Sequence, residues 1–244
     1  MNKVLTRLGS LSELIWPRTC HVCGCNLPEH SRYLCTVCEA SLPRLPLFTP
    51  SAPAGGVSVI EERTGAFHGL VNAFSWISYS RHSPYAALLH DIKYRGCRRL
   101  GRHLGRLMAR ELRPTGFFNG IDCLVPVPLH YLHRMRRGYN QAEQLALGVS
   151  DVTGIPAIDP LKAAAHRTQT RLSGHERREN VRGIYRTKPS HPLFTDPTRT
   201  WEHLCVVDDV CTTGSTLLET AGALTAARPD LRISFLTLAL ALNQ

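Results

Sequence analysis

Read by the spacing of its apolar positions, the chain alternates short strand-like runs with helical repeats. VNAFSWISY (71–79) is rich in aromatic and β-branched residues and predicts a strand. IDCLVPV (121–127) and LCVVDD (204–209) are short apolar runs, each followed by polar loop residues and then a helical pattern, as buried parallel strands are. ISFLTLALAL (233–242) is expected to close that sheet. Ser83 and Pro84 offer an N-cap followed by proline at the first helical position, opening a helix through PYAALLHDIKY. NQAEQLALGVSDVTG puts Ala142, Leu145, Ala146 and Val149 on one face, with Gly154 just past the end. STLLETAGALTAARPD is a second such helix, stopping at Pro229, and Val4, Leu8, Leu11 and Ile15 share a face of another near the start. Strands alternating with helices define the α/β class.

The segments between these elements divide the chain. Residues 41–57 carry four prolines and the pair Gly55 and Gly56. We therefore expect a first region at 1–45, a linker at 46–57 and one continuous domain at 58–244. A length of 244 residues suits one large domain with a small appendage. With 43% hydrophobic and 20% charged residues, a disordered or fibrous chain is excluded. No apolar run approaches the ~18 residues that a membrane crossing needs, so no membrane insertion is expected. The first residues also lack the apolar core of a secretory signal.

Nine cysteines without such a signal point to a reducing, cytoplasmic setting, and five of them fall between positions 20 and 38. Cys20-x2-Cys23 and Cys35-x2-Cys38 are two knuckles, each presenting two thiolates from one bend. Four soft ligands in a closed tetrahedron make a structural Zn²⁺ site, so a zinc ribbon-like appendage is expected. Cys25, His21 and His30 lie close enough to compete.

A net charge of +10 directs attention to anionic partners, either phosphates on a small molecule or those along a nucleic acid. The most informative segment is LCVVDDVCTTGSTLLE (204–219). An apolar strand leads into Asp208 and Asp209, then Cys211, Thr212, Thr213, Gly214, Ser215 and Thr216, then a helix. Free backbone N–H groups and the helix dipole at such a loop attract a phosphate, and Gly214 permits close approach. Two carboxylates repel phosphate and must face another part of the ligand, either vicinal sugar hydroxyls or a metal bound to them. No GxxxxGK[ST] run occurs, which excludes a P-loop.

This segment resembles the phosphoribosyl pyrophosphate (PRPP) motif of type I phosphoribosyltransferases. VPVPLHYLHRMRRGYNQAEQLA (125–146), RTQTRLSGHERRENVRGIY (167–185) and HDIKYRG (90–96) resemble signature blocks of the ComF/GntX family. That resemblance implies a type I phosphoribosyltransferase-like parallel sheet flanked by helices, joined to a small N-terminal zinc-binding region. It implies that Asp208 and Asp209 contact the ribose hydroxyls, directly or through Mg²⁺, while the loop from Cys211 to Thr216 cradles the 5-phosphate. Arg134, Arg137 and Gly138 would stand in the pyrophosphate loop, and 167–182 would be a lid carrying Arg171 and Arg178 to the reaction. The family is linked to competence, DNA uptake and use of DNA as a nutrient, and the acceptor pocket has no recognisable signature. No covalent nucleophile is called for, since Cys205 and Cys211 lack an adjacent His–acid arrangement. The alternative is a non-catalytic, PRPP-responsive accessory that binds single-stranded DNA or a DNA-uptake helicase.

One helix concentrates the charge. In RRLGRHLGRLMARELR (98–113), Arg99, Arg102, Arg106, Arg110 and Arg113 form one stripe, with Leu100, Leu104, Leu107 and Met108 nearly opposite. Either the stripe is a solvated face above a packed one, or it tracks the phosphates of single-stranded DNA. Aromatic stacking partners are not interleaved there.

Overall fold

The computed structural model describes residues 17–46, 67–129, 135–164 and 183–241. The expected helix near the start, most of the linker, Arg134, and the lid segment with Arg171 and Arg178 lie outside these residues.

The strands are β1 (Leu70–Tyr79), β2 (Cys123–Pro126), β3 (Leu161–Ala163), β4 (Tyr185–Thr187), β5 (His203–Cys211) and β6 (Arg232–Ala241). Four of them form a parallel sheet in the order β1-β6-β5-β2, and β3 pairs with β4 in a separate antiparallel ribbon. The apolar run expected to close the sheet instead lies inside it. Ala73 and Val206 both face Phe235 across their ladders. Its near-continuous apolar pattern fits that place, because an interior strand is covered on both faces and both edges. Its two polar residues are satisfied, Ser234 by His203 Nε2 at 2.8 Å and Thr237 by Ser75 Oγ at 2.5 Å. Both sheet edges are covered. Leu45 N donates to Trp76 O beside β1, and Ile158 N donates to Leu124 O beside β2.

The helices are α1 (Thr36–Ala40), α2 (Ala86–Tyr94), α3 (Arg98–Leu112), α4 (Gln141–Thr153), α5 (Pro192–Thr195) and α6 (Ser215–Ala227). Caps written into the sequence act where expected at α4. Asn140 accepts from Ala142 N at the start, and Gly154 takes the left-handed conformation at the end. At α2 the Ser83 hydroxyl caps Tyr85 N in a preceding turn, so the helix begins at Ala86, two residues later than expected.

Side chains alternate across the strands into two cores. Cys205 and Val207 face one with Leu100, Leu104 and Leu145, whereas Leu204 and Val206 face the other with Leu217, Ala221 and Leu224. The helices following the neighbouring strands β2 and β5 thus leave on opposite faces. That reversal opens a crevice beyond the strands' C-terminal ends, the usual ligand position in open α/β sheets. Cys20, Leu34, Cys38 and Leu42 join the first core, so the cysteine-rich region packs directly on the sheet domain.

Candidate functional site

The crevice holds a cleft of about 1000 Å³ at the C-terminal ends of β2 and β5. Asp208 and Asp209 end the apolar part of β5 and line it with Thr212 and Thr216. Asp208 is tightly held: Oδ1 accepts from Asp209 N at 2.8 Å and Oδ2 from Thr216 Oγ1 at 3.0 Å. Burial, reinforced by the charge of Asp209, pushes its carboxyl up to about 7. Gly214 sits at the N-cap of α6 with φ 78° and offers no side chain to the helix end. Thr213 and Ser215 hydroxyls bond each other at 2.8 Å just outside. The loop therefore presents helix N–H groups and hydroxyls beside two carboxylates. The Cys211 side chain, by contrast, is 1% exposed and packs into the second core, leaving its backbone to shape the loop.

Three residues that sequence reasoning did not assign complete the cleft. Lys93 Nζ lies 3.1 Å from Asp209 Oδ2 and balances one carboxylate. Tyr185, from β4, lines the wall, and burial raises its hydroxyl well above the ordinary tyrosine range. Gln141 is 2% exposed, and its Nε2 is the buried side-chain nitrogen without a hydrogen-bond partner among the described residues. Lys93 stood in the HDIKYRG block and Gln141 in the 125–146 block, so the signal was there, without a role attached. Of the expected pyrophosphate-loop residues, Arg137 lines the cleft with its guanidinium 5.3 Å from the Tyr94 ring centre. Gly138 adopts φ 73° and its carbonyl accepts from Arg98.

The sulfur atoms of Cys20, Cys23, Cys35 and Cys38 all lie within 4.8 Å of one another, with Cys23 and Cys35 3.9 Å apart. A tetrahedral site with Zn–S bonds of about 2.3 Å requires sulfurs about 3.8 Å apart, so the set could hold a metal such as zinc. Backbone N–H groups stabilise thiolates here: Cys35 N donates to Cys20 Sγ and Cys38 N to Cys35 Sγ, each at 3.4 Å. Burial alone would raise the Cys20 thiol, but N–H groups of Cys23, Cys35 and Val22 bring it down to about 6. Cys25 is outside the set, held up at about 12 chiefly by its hydrogen bond with Cys23. His21 turns instead to Asp91 on α2.

On α3 the leucine side is buried and the arginine side faces out, as the helical wheel predicts. Two of the stripe's arginines pair with a carboxylate, and Arg113 donates to the Val152 carbonyl. Arg102 Nη2 and Arg106 Nε reach the two oxygens of Asp151 at 2.6 and 2.7 Å. Hydrogen bonding from Arg102, offset by burial and joined by Arg106, holds that carboxyl down at about 2. Arg99 and Arg110 are exposed.

Sheet order and crevice define an α/β protein with a cleft at the topological switch point of its parallel sheet. Comparison with known proteins narrows this. No protein-family model matches the chain. It is 33% identical over 141 residues to Competence protein F of Haemophilus influenzae, covering 56% of this chain and 59% of that protein. It is 27% identical over 222 residues to DNA utilization protein YhgH of Salmonella typhimurium, covering 84% of this chain and 89% of that protein. These relatives bear out the resemblance to the ComF family. A glutamine PRPP amidotransferase from B. subtilis, complexed with ADP and GMP, overlaps 56% of this chain and 25% of its own. The TM-score is 0.35 at 19% identity, too slight to add to the sheet order itself. No described helix is long and apolar enough to cross a membrane.

Proposed function

We propose that this protein binds PRPP with Mg²⁺ in the cleft and transfers its phosphoribosyl group to an acceptor. The observation that carries the reading is the acidic pair placed beside a hydroxyl-rich helix N-terminus at the switch point of a parallel sheet. The 5-phosphate would rest on Thr212–Thr216, and the ribose hydroxyls or the Mg²⁺ would be held by Asp208 and Asp209. Mg²⁺ would neutralise charge on the pyrophosphate. Arg137 and the spare amide donor of Gln141 stand where the leaving pyrophosphate needs donors. Arg134, with Arg171 and Arg178 on the lid, would add to them. In the transfer, the acceptor's lone pair forms a bond to the anomeric carbon as that carbon's bond to pyrophosphate oxygen breaks. The pyrophosphate leaves with that bonding pair. Zn²⁺ at Cys20, Cys23, Cys35 and Cys38 would be structural, since four thiolates leave no open position. No disulfide joins the described cysteines, and a reducing cytoplasm is part of this reading.

The test is pyrophosphate release from PRPP and Mg²⁺ across a panel of nucleobases and amines. Release by the natural protein is expected to vanish in the Asp208→Asn/Asp209→Asn variant. PRPP-dependent thermal stabilisation without release would leave a binding protein, and no response of either kind would refute the PRPP site.

The names of the relatives support a role in competence or DNA use. Single-stranded DNA on α3, or a DNA-uptake helicase, is the partner we propose for that role. Arg102 and Arg106 are shared with Asp151, so Arg99 and Arg110 are the sharper probes. The Arg99→Glu/Arg110→Glu variant is expected to bind an oligonucleotide at least about tenfold more weakly in filter-binding titrations. Its log–log salt slope should be shallower by about 1.4, for two lost phosphate contacts. Equal affinity and equal slope would remove α3 from the DNA reading.

A further inference from the structure

The HDIKYRG block lines the cleft with His90, Asp91, Lys93, Tyr94 and Arg95, and one of these, Asp91, also reaches the first cysteine knuckle. The helix that carries it, α2, is gripped near both ends. Just before its start, the Tyr85 hydroxyl donates to the Cys38 carbonyl of the second knuckle at 3.2 Å. Toward its end, Asp91 is 4% exposed and meets His21 Nδ1 at 2.5 Å. His21 lies between Cys20 and Cys23 and itself lines the cleft. The other charged groups around Asp91, Arg95 at 3.4 Å and His90 at 3.7 Å, belong to its own segment and are largely exposed. Among the described residues, His21 is thus the side-chain hydrogen-bond partner of Asp91 that arrives from another element. Leu89 and Ile92, on the same helix, share a core with Cys20, Leu34 and Cys38. Two residues beyond Asp91, Lys93 reaches Asp209. His21–Asp91 at one point of α2 and Lys93–Asp209 at another thus link the knuckle to the acidic pair, the helix backbone joining the two contacts.

We infer that His21 and Asp91 are a strut through which the four-thiolate site sets α2, and with it Lys93, against the acidic pair. Metal at the cysteines and ligand in the cleft are therefore bound cooperatively; the ligand half of this rests on the cleft being the PRPP site. Without a cation, thiolates within 4.8 Å of one another repel, and the first knuckle no longer holds His21 in register with Asp91. With the cation, the two knuckles are crosslinked and α2 is clamped. By linkage, whatever metal does for ligand affinity, ligand does equally for metal affinity. Lys93 acts here as a positioning residue for Asp209, and the strut positions Lys93.

The experiment compares the zinc-loaded full chain with the same protein stripped by a chelator, read by amide hydrogen exchange. Stripping is expected to speed exchange about tenfold in the peptides covering 86–94 and 208–216, while β6 stays protected. Asp91→Asn leaves all four thiols in place and is expected to show the fast 86–94 exchange with its zinc still bound. In calorimetric titrations with PRPP and Mg²⁺, stripping should weaken binding about tenfold in the natural protein and not in Asp91→Asn. Unchanged exchange over 86–94 on stripping, an equal rise in β6, or natural exchange in Asp91→Asn would each overturn the strut. Failure of the loaded natural protein to bind PRPP would strike the proposed function, and the exchange result would still decide the strut.

Discussion

Asp208→Asn is expected to make the protein more stable at pH 8 and far less active. The Asp208 carboxyl is raised from 3.8 to about 7, by burial first and then by the charge of Asp209. Between those two pH values the folded chain keeps a proton that the unfolded chain releases. The stability contributed by that proton is complete below about pH 4 and is lost as pH rises through 7. Asparagine cannot ionise, so the variant escapes the loss. Its melting temperature should exceed that of the natural protein by about 5–10 °C at pH 8 and match it at pH 4. Pyrophosphate release should fall by about 100-fold or more, because the carboxylate proposed to hold the ribose hydroxyls or Mg²⁺ is gone. Equal melting at pH 8 would show that Asp208 is ionised at little expense, against its burial. Such a trade between stability and action is what a carboxylate held in a cleft for binding entails.

Gly148→Ala and Gly105→Ala are expected to give the largest losses of stability. Helices α3 and α4 cross with their backbones in contact. A Cβ at Gly148 would lie 2.2 Å from Arg102 O, and one at Gly105 would lie 2.3 Å from Leu145 O. These neighbours are main-chain atoms, which cannot swing aside as a side-chain tip can. The helices must separate, and Leu100, Leu104, Leu145 and Val149, all fully buried between them, lose their packing. Each substitution should remove about 3 kcal/mol or more and lower the melting temperature by about 6–12 °C. The same close approach brings Asp151, three residues past Gly148, within reach of Arg102 and Arg106. Circular dichroism melts of the two variants, with Gly222→Ala as a control in open space on α6, decide the matter. A melting point within a degree or two of natural for Gly148→Ala would contradict the helix crossing.

What was legible in the sequence was local. The acidic pair, the hydroxyl loop and the first turn of α6 lie in sixteen consecutive residues, 204–219, so composition and order alone located that half of the cleft. Both caps of α4 are single residues, and each cysteine knuckle is four residues long. The rest depends on pairs far apart in the chain. Lys93 meets Asp209, and His21 meets Asp91, only because the sheet order and the docking of the knuckles bring them together. Gly148 carried no sequence signal, since a glycine inside a helical repeat reads as a weakness until its neighbour is known. The place of β6 was hidden for the same reason: hydropathy marks a strand as buried but does not order it among its neighbours.

That place has a consequence for how the chain comes into being. β1 and β5 never touch each other, and each completes its ladder only against β6. β1 ends at Tyr79, whereas β6 begins at Arg232. At a synthesis rate of about 10 residues per second, β1 waits about 15 s for the strand it needs. During that interval an apolar strand has one side open, guarded only by the segment around Arg44 on the other. Assembly of this sheet therefore waits for β6, and until that strand emerges β1 keeps an edge open to pairing elsewhere.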